Sequence, residues 1–251
     1  MNTKTFETTA LSFFPKETLA FFDDGTQYGF NQFRNKEIKK IGYSVNVTKD
    51  IIKQAINQKV DLLLTHHNIW EDHYELRDDC LKLLEENNLI HFFNHLPLDS
   101  MPFGPTGVLA NDLDLKVIEK ISQFETFYFG VVGEVEKPLT LQELTHKVEK
   151  IMNHKVRVWQ NNDRLIKRIG IVAGSGSDLE SLHDAVHYQC DAFITGEKKL
   201  KTLLYAKHNE LNFILGSHTF SELGGIRVYA HLIKDKMGDI ELVELQDEWI
   251  E

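Results

Sequence analysis

The side chains that could do chemistry in this sequence gather at four short segments. One is the end of DLLLTHHNIW, residues 61–70, where an apolar run closes on Thr65 and two adjacent histidines, His66 and His67. NHLPLD at 94–99 holds His95 and Asp99, TGE at 195–197 holds Glu197, and GSHTFSE at 216–222 holds His218 and Glu222. Successive side chains of a strand point to opposite faces, so His66 and His67 cannot serve one small target if the strand runs straight through them. His218 and Glu222, four apart at the start of a helix, share a face. His66, His67, Asp99, His218 and Glu222 form a nitrogen and oxygen donor set without sulfur, suited to Zn, Mn, Fe or Ni. Five protein ligands are too many for one ion with an open position. They fit two divalent ions about 3.5–4 Å apart, bridged by one carboxylate and leaving room for water. Adjacent histidines that diverge would then each reach a different ion.

Each segment also has an ordinary explanation. A histidine pair after a strand is compatible with a turn holding one solvated and one packed ring. Asp99 before Ser100 is compatible with a capped turn, and Thr219 with Glu222 spells the capping box S/T-x-x-E. The joint placement of all of them at strand and loop ends favours a site. His183 and His187, with Cys190 three residues on, look superficially similar, but Leu179, Leu182, Val186 and Cys190 form the apolar stripe of their helix and the histidines only flank it. GIVAGSGSDLE at 170–180 places glycines between strand and helix yet lacks both G-x-G-x-x-G and a Lys-Ser/Thr ending, so it reads as a tight turn with Ser177 or Asp178 as N-cap and a weak substrate loop. Phe13, Phe14, Phe21 and Phe22 read as core.

The elements that must position these groups alternate: KKIGYSV, a helix over about Lys49–Gln58, VDLLLT, DDCLKLLEENN and IHFFNH, and then a second αβ set from KVRVWQ to LNFILG. This order predicts α/β organisation in two lobes with mixed sheets, and strand-end loops are where such folds carry function. Pro97 predicts an irregular loop for His95–Asp99. No internal repeat is visible. Soft boundaries near Gln123–Thr126 and near Gly216 divide the chain into a first lobe of 1–125 plus 217–251 and an inserted lobe of 126–216.

The totals exclude several classes. The 251 residues are 42% hydrophobic, enough for one large core or two modest ones. A formal net charge of -10 argues against a broad nucleic-acid-binding face. Cys80 and Cys190 are the only two cysteines, too few for a disulfide framework or a four-cysteine zinc site, which predicts a reducing cytoplasm. Neither a signal-peptide core nor a membrane span is present in the sequence.

DLLLTHH, HLPLD, FITGE and GSHTFSELGG in this order, with GVLANDL after the second and VVGEVEKPLTLQEL before the third, resemble the dinuclear-metal family of GTP cyclohydrolase 1 type 2 homologues, also called NGG-interacting-factor-three-like. The resemblance covers roughly residues 40–235 and is to the short bacterial form. It implies a two-lobed α/β subunit with two divalent metal ions between the lobes, commonly assembled as a toroidal homohexamer. It places ligands on His66, His67, Asp99, His218 and Glu222, with Glu222 bridging. Departures are Asn68, where relatives usually carry Gly or Pro, Asn46, where many carry Asp, and Leu204, where a histidine is common. The expected activity is that of a dinuclear metal-dependent hydrolase using metal-bound hydroxide, with His95 or Glu197 moving protons and a small-molecule substrate, a nucleotide being one candidate. The alternative is a non-catalytic metal-binding, metal-delivery or assembly protein.

Overall fold

The computed structural model describes residues 2–250. Two units divide the chain, Met1–Phe103 with Ile226–Glu248 and Gly104–Gly225 with Trp249–Glu251. The first opens with helices α1 (Thr3–Leu11) and α2 (Lys16–Phe21), then alternates β1 (Tyr28–Gln32), β2 (Lys40–Ser44), α3 (Lys49–Asn57), β3 (Leu62–Thr65), α4 (Glu75–Glu86), β4 (Ile90–Asn94) and α5 (Leu96–Asp99). Strands β2, β3 and β4 are parallel, and β1 lies antiparallel beside β4. A strand with parallel neighbours on both sides is covered on both faces, and Leu62, Leu63, Leu64 and Thr65 of β3 are accordingly all buried. On one face, Leu63 packs with Ile51, Ile52 and Ala55 of α3 and with Cys80 and Leu84 of α4. Elsewhere in this unit Phe6 of α1 stands edge-on to Phe92 of β4 with ring centroids 5.4 Å apart. Helix α3 starts where the Thr48 hydroxyl accepts from the Ile51 N–H.

In the second unit the order is α6 (Pro105–Asp112), β5 (Lys116–Phe124), β6 (Phe127–Leu139), α7 (Leu141–Met152), β7 (Arg157–Trp159), β8 (Ile166–Val172), α8 (Leu179–His187), β9 (Ala192–Thr195), α9 (Leu200–His208) and β10 (Asn212–Leu215). Helix α10 (His218–Met237) begins in the second unit and ends in the first, where β11 (Glu241–Glu244) pairs in parallel with β2. The fold is thus mixed α/β with two mixed sheets.

Three features differ from the sequence-based expectation. Strands β5 and β6 form one antiparallel hairpin, so a limit between residues 125 and 126 would cut its turn; the second unit starts instead at Gly104 and runs to Gly225. Leu96–Asp99 is a helical turn, because Pro97 falls in its first positions, where the missing N–H would have had no intrahelical partner. The two units also repeat one topology. Strand order β1-β4-β3-β2 in the first is matched by β7-β10-β9-β8 in the second, each with three parallel strands and one antiparallel edge.

The repeat extends to single bonds. The Asp61 N–H donates to the Lys40 carbonyl while the Asp61 carboxylate accepts from the Lys39 and Lys40 N–H groups. Asp191 does the same with Arg168, Lys167 and Arg168. KKIG at 39–42 therefore corresponds to KRIG at 167–170, and DLLLT at 61–65 to DAFIT at 191–195. Left-handed residues follow the paired helices too, Lys59 with Gln189 and Asn88 with Glu210. Between these fixed points the segments differ in length and letters, which hides the repeat from inspection of sequence alone.

Among the described residues no helix is long and apolar enough to cross a membrane. Cys80 and Cys190 are buried, and burial pushes their thiols up to about 11 and about 12. The thiolate is the reactive form, so neither cysteine should react with a thiol-specific disulfide reagent at about pH 8 in the native protein. Both should be labelled once denaturant is added, and fast labelling of native protein would contradict this packing.

Candidate metal centre

Strand β3 ends at Thr65, so the two histidines lie beyond it and are released from strand alternation. The turn is held from behind. The Thr65 hydroxyl donates to the His67 carbonyl at 2.6 Å and lies 2.8 Å from His91 Nε2. The Asn31 amide Nδ2 faces His91 Nδ1 at 3.2 Å. An amide NH₂ only donates, so His91 Nδ1 accepts and its Nε2–H donates to Thr65. Burial without a charged partner lowers the His91 pKa to about 3, which keeps the ring neutral.

Three imidazoles of the first unit share one arrangement. His66 Nδ1 lies 3.0 Å from the Asn94 carbonyl, His67 Nδ1 2.8 Å from Asn46 Oδ1, and His95 Nδ1 2.9 Å from Gln27 Oε1. Each partner is an oxygen acceptor, so each Nδ1 carries a proton and Nε2 is the nitrogen that can coordinate a metal. Ring centroids are 5.0 Å apart for His66 and His67, 5.0 Å for His66 and His95, and 5.5 Å for His67 and His95. One ligand atom from each of the three falls within 4.8 Å of the other two, close enough to hold a metal ion. Asp99, on α5, adds a carboxylate 3.4 Å from His66 Nε2 and 4.0 Å from His95 Nε2. A donor set of three imidazoles and one carboxylate fits a divalent ion of the Zn, Mn, Fe or Ni type.

In the second unit the site residues sit at the start of α10. The Ser217 hydroxyl accepts from the Phe220 N–H at 3.0 Å and so caps the helix. Thr219 is already the second helical residue, and Glu222 lies a full turn in, so the capping box read from T-F-S-E does not place Glu222. His218 Nε2 is 3.3 Å from Glu222 Oε1, and its Nδ1 is 2.6 Å from Glu197 Oε1. The second Glu197 oxygen accepts from the Ser175 hydroxyl at 2.9 Å. Burial opposes charge on His218, but the hydrogen bonds and charges of Glu197 and Glu222 outweigh it and raise the ring to about 10. The His218 contact in turn holds the Glu197 carboxyl below its usual range. Glu222 is only 4% exposed. Gly174 closes against this pair at a φ of 62°, and its N–H donates to Ser221 Oγ at 2.9 Å. A Cβ there would collide with the Glu222 carboxylate and come within 3.2 Å of His218 Nε2.

The other sequence candidates lie apart from these sets. His183 lines an open concavity on α8 with Leu179, Glu180, Asp184 and Tyr205. Leu179 is 37% exposed and drops out of the expected apolar stripe, which consists of Leu182, Ala185 and Cys190 with Val186 against it. Asp178 caps α8 through the Ser181 N–H, as one of the two N-cap options anticipated. Leu204 is 59% exposed on α9. Sequence analysis missed the acceptors Gln27 and the Asn94 carbonyl, and it noted Asn46 only as a departure. Only their positions at strand ends could have signalled them.

A two-sheet α/β chain with histidine and carboxylate groups collected at its strand ends belongs to the class of potential metal-binding proteins. The model of the family Duf34/NIF3 (NGG1p interacting factor 3) matches residues 1–248, and the chain belongs to that family. A relative from Haemophilus influenzae, named GTP cyclohydrolase 1 type 2 homolog, is 31% identical over 219 residues, covering 84% of this chain and 86% of the other. Among solved structures, protein ybgI, described as of unknown function, superposes with a TM-score of 0.87 at 23% identity over 99% of both chains. TTHA1606 from Thermus thermophilus gives 0.83 at 20% identity over 100% of both. The two structural likenesses bear on the fold.

The close approach at Gly174 yields a test. Gly174→Ala should cost about 1–2 kcal/mol in urea unfolding, since an L-residue is forced into the left-handed region. It should also displace Glu222 and lower the metal content of protein purified from metal-supplemented medium. Unchanged metal content together with unchanged stability would contradict the described packing.

Proposed function

We propose that this chain is a hydrolase dependent on two divalent metal ions, with His66, His67, His95, Asp99, His218 and Glu222 as donors. The observation that carries the reading is that four histidine rings each hold Nδ1 against an oxygen. His66, His67 and His95 each commit Nδ1 to an oxygen acceptor, leaving Nε2 as a donor, and His218 directs Nδ1 to Glu197 and Nε2 to Glu222. Structural histidines have no reason to share this orientation; ligands do. Bound divalent ions would supply a water acidified to a pKa of about 7 and would polarise an electrophilic carbon.

The chain's own residues hold and orient. His95 moves in this reading from proton transfer to ligation, because its ring stands with His66 and His67. Glu197 orients His218 through Nδ1 and, as a partly exposed carboxylate beside the site, is the group assigned to proton transfer. Glu222 takes the bridging role that the family's motif order assigns to it. The substrate class is a small molecule with a hydrolysable carbon centre. A nucleotide is the first candidate, on the strength of the name carried by the Haemophilus influenzae relative. A homohexamer of 29.1 kDa subunits is the proposed assembly, which light scattering at micromolar concentration tests directly.

Elemental analysis of purified protein, followed by a screen of the metal-loaded form against nucleotides, amides and phosphoesters, tests the function. Two equivalents of metal with turnover are expected. Metal that exchanges readily without turnover would favour a metal-delivery protein. Glu222→Ala should deplete both ions, because a bridging carboxylate serves both and screens their repulsion, whereas changing His183 and His187 together to Ala should leave metal content unaltered. Full occupancy in folded Glu222→Ala protein would sink the dinuclear reading.

A further inference from the structure

His67 takes its orientation from the opposite end of the chain. Its Nδ1 meets Asn46 Oδ1, but a side-chain amide has two ends of nearly equal shape, an oxygen that accepts and an NH₂ that donates. The end that faces the imidazole decides which nitrogen holds the proton. With the oxygen inward a proton sits on Nδ1, and Nε2 is the nitrogen that can present a lone pair to a cation. With the NH₂ inward the proton moves to Nε2 and coordination there is blocked.

Asp247 removes this ambiguity. Its Oδ1 accepts from Asn46 Nδ2 at 3.1 Å and from the Asn46 N–H at 3.1 Å, and its Oδ2 accepts from the Val45 N–H at 2.8 Å. A carboxylate only accepts, so only the NH₂ end of Asn46 can face it. Burial raises the Asp247 carboxyl above its ordinary range, against the Val45 and Asn46 donors, which favour the charged form. The segment carrying Asp247 is itself placed by strand pairing. Strand β11 runs parallel to β2 with Glu244 opposite Tyr43, and the Leu245 N–H continues the ladder to the Tyr43 carbonyl at 2.9 Å. Gln54 and Gln246 then exchange two hydrogen bonds, at 3.1 and 2.9 Å. Asp247 thereby arrives at the same strand end as Asn46.

We propose that Asp247 is a positioning residue that sets the tautomer of His67 through Asn46, and so prepares Nε2 as a donor to a divalent cation. The tautomer stands on the metal-free geometry; its consequence for affinity rests on the metal reading above. In Asp247→Asn the new side chain offers an NH₂ as well as an oxygen, and Asn46 loses its fixed direction.

Long-range nitrogen–proton NMR correlation on metal-free, ¹⁵N-labelled protein reads the tautomer directly. Unaltered His67 should carry its proton on Nδ1, and Asp247→Asn should gain an Nε2–H population. Competition with a chromophoric chelator should show Zn²⁺ affinity falling about 10–100-fold in Asp247→Asn. The double variant Asn46→Asp with Asp247→Asn should recover both, since a carboxylate at 46 accepts from His67 itself. An Nε2–H tautomer in the unaltered protein would overturn the proposal and needs no variant to fold. So would lost affinity in Asp247→Asn with the tautomer unchanged, which marks a merely structural role. If the tautomer shifts as expected but the unaltered protein binds no Zn²⁺, the relay stands and the metal reading fails.

Discussion

A neutral imidazole carries one proton on two nitrogens, and a hydrogen bond at one nitrogen settles what the other can do. The donor set of the first unit depends on this constraint at His66, His67 and His95. In each the Nδ1 meets an oxygen, the Asn94 carbonyl, Asn46 or Gln27, and in the second unit His218 Nδ1 meets Glu197. The fold supplies these oxygens at strand ends. Asn94 closes β4, Asn46 follows β2, and Glu197 follows β9. Gln27 precedes β1, which runs antiparallel to β4, so the start of β1 and the finish of β4 fall at one edge of the sheet. Parallel strands bring such ends together without any sequence proximity.

The acceptors are not equivalent, and their chemistry divides the two units. In the first unit they are neutral, and the rings act as plain nitrogen donors. In the second, Glu197 is a carboxylate, and together with Glu222 it raises the basicity of His218. A charged partner behind an imidazole makes it a stronger donor. The first unit thus relies on the number of donors, the second on the strength of one.

Much of this was legible before the structure. The apolar runs LLLT and AFIT could be read as buried strands, and the strand-end positions of His66, His67, Asp99, His218 and Glu222 could be read as a donor set, because both depend on local spacing. The turn of α5 was misjudged since Pro97 speaks only about the N–H it lacks, and a helix start has no use for that N–H. Strand β11 and Asp247 were invisible for a different reason. Their roles exist only through pairing with β2, about two hundred residues away in sequence, and nothing local in ELVELQD announces it. The repeat was missed because it is kept in bonding, through Asp61 and Asp191, more than in letters.

The repeat also bears on symmetry. Were the two αβ frames separate copies of one short chain, every donor in one would have to recur in the other, as closed symmetry demands of a homodimer. Fused in one polypeptide, they are released from that equality. Where one frame follows its threonine with His66 and His67, the other has Gly196 and Glu197, and a side chain at Gly196 would run into the backbone of His218. The same scaffold is written twice while only its tips differ, so each tip can vary without redesign of the frame beneath it.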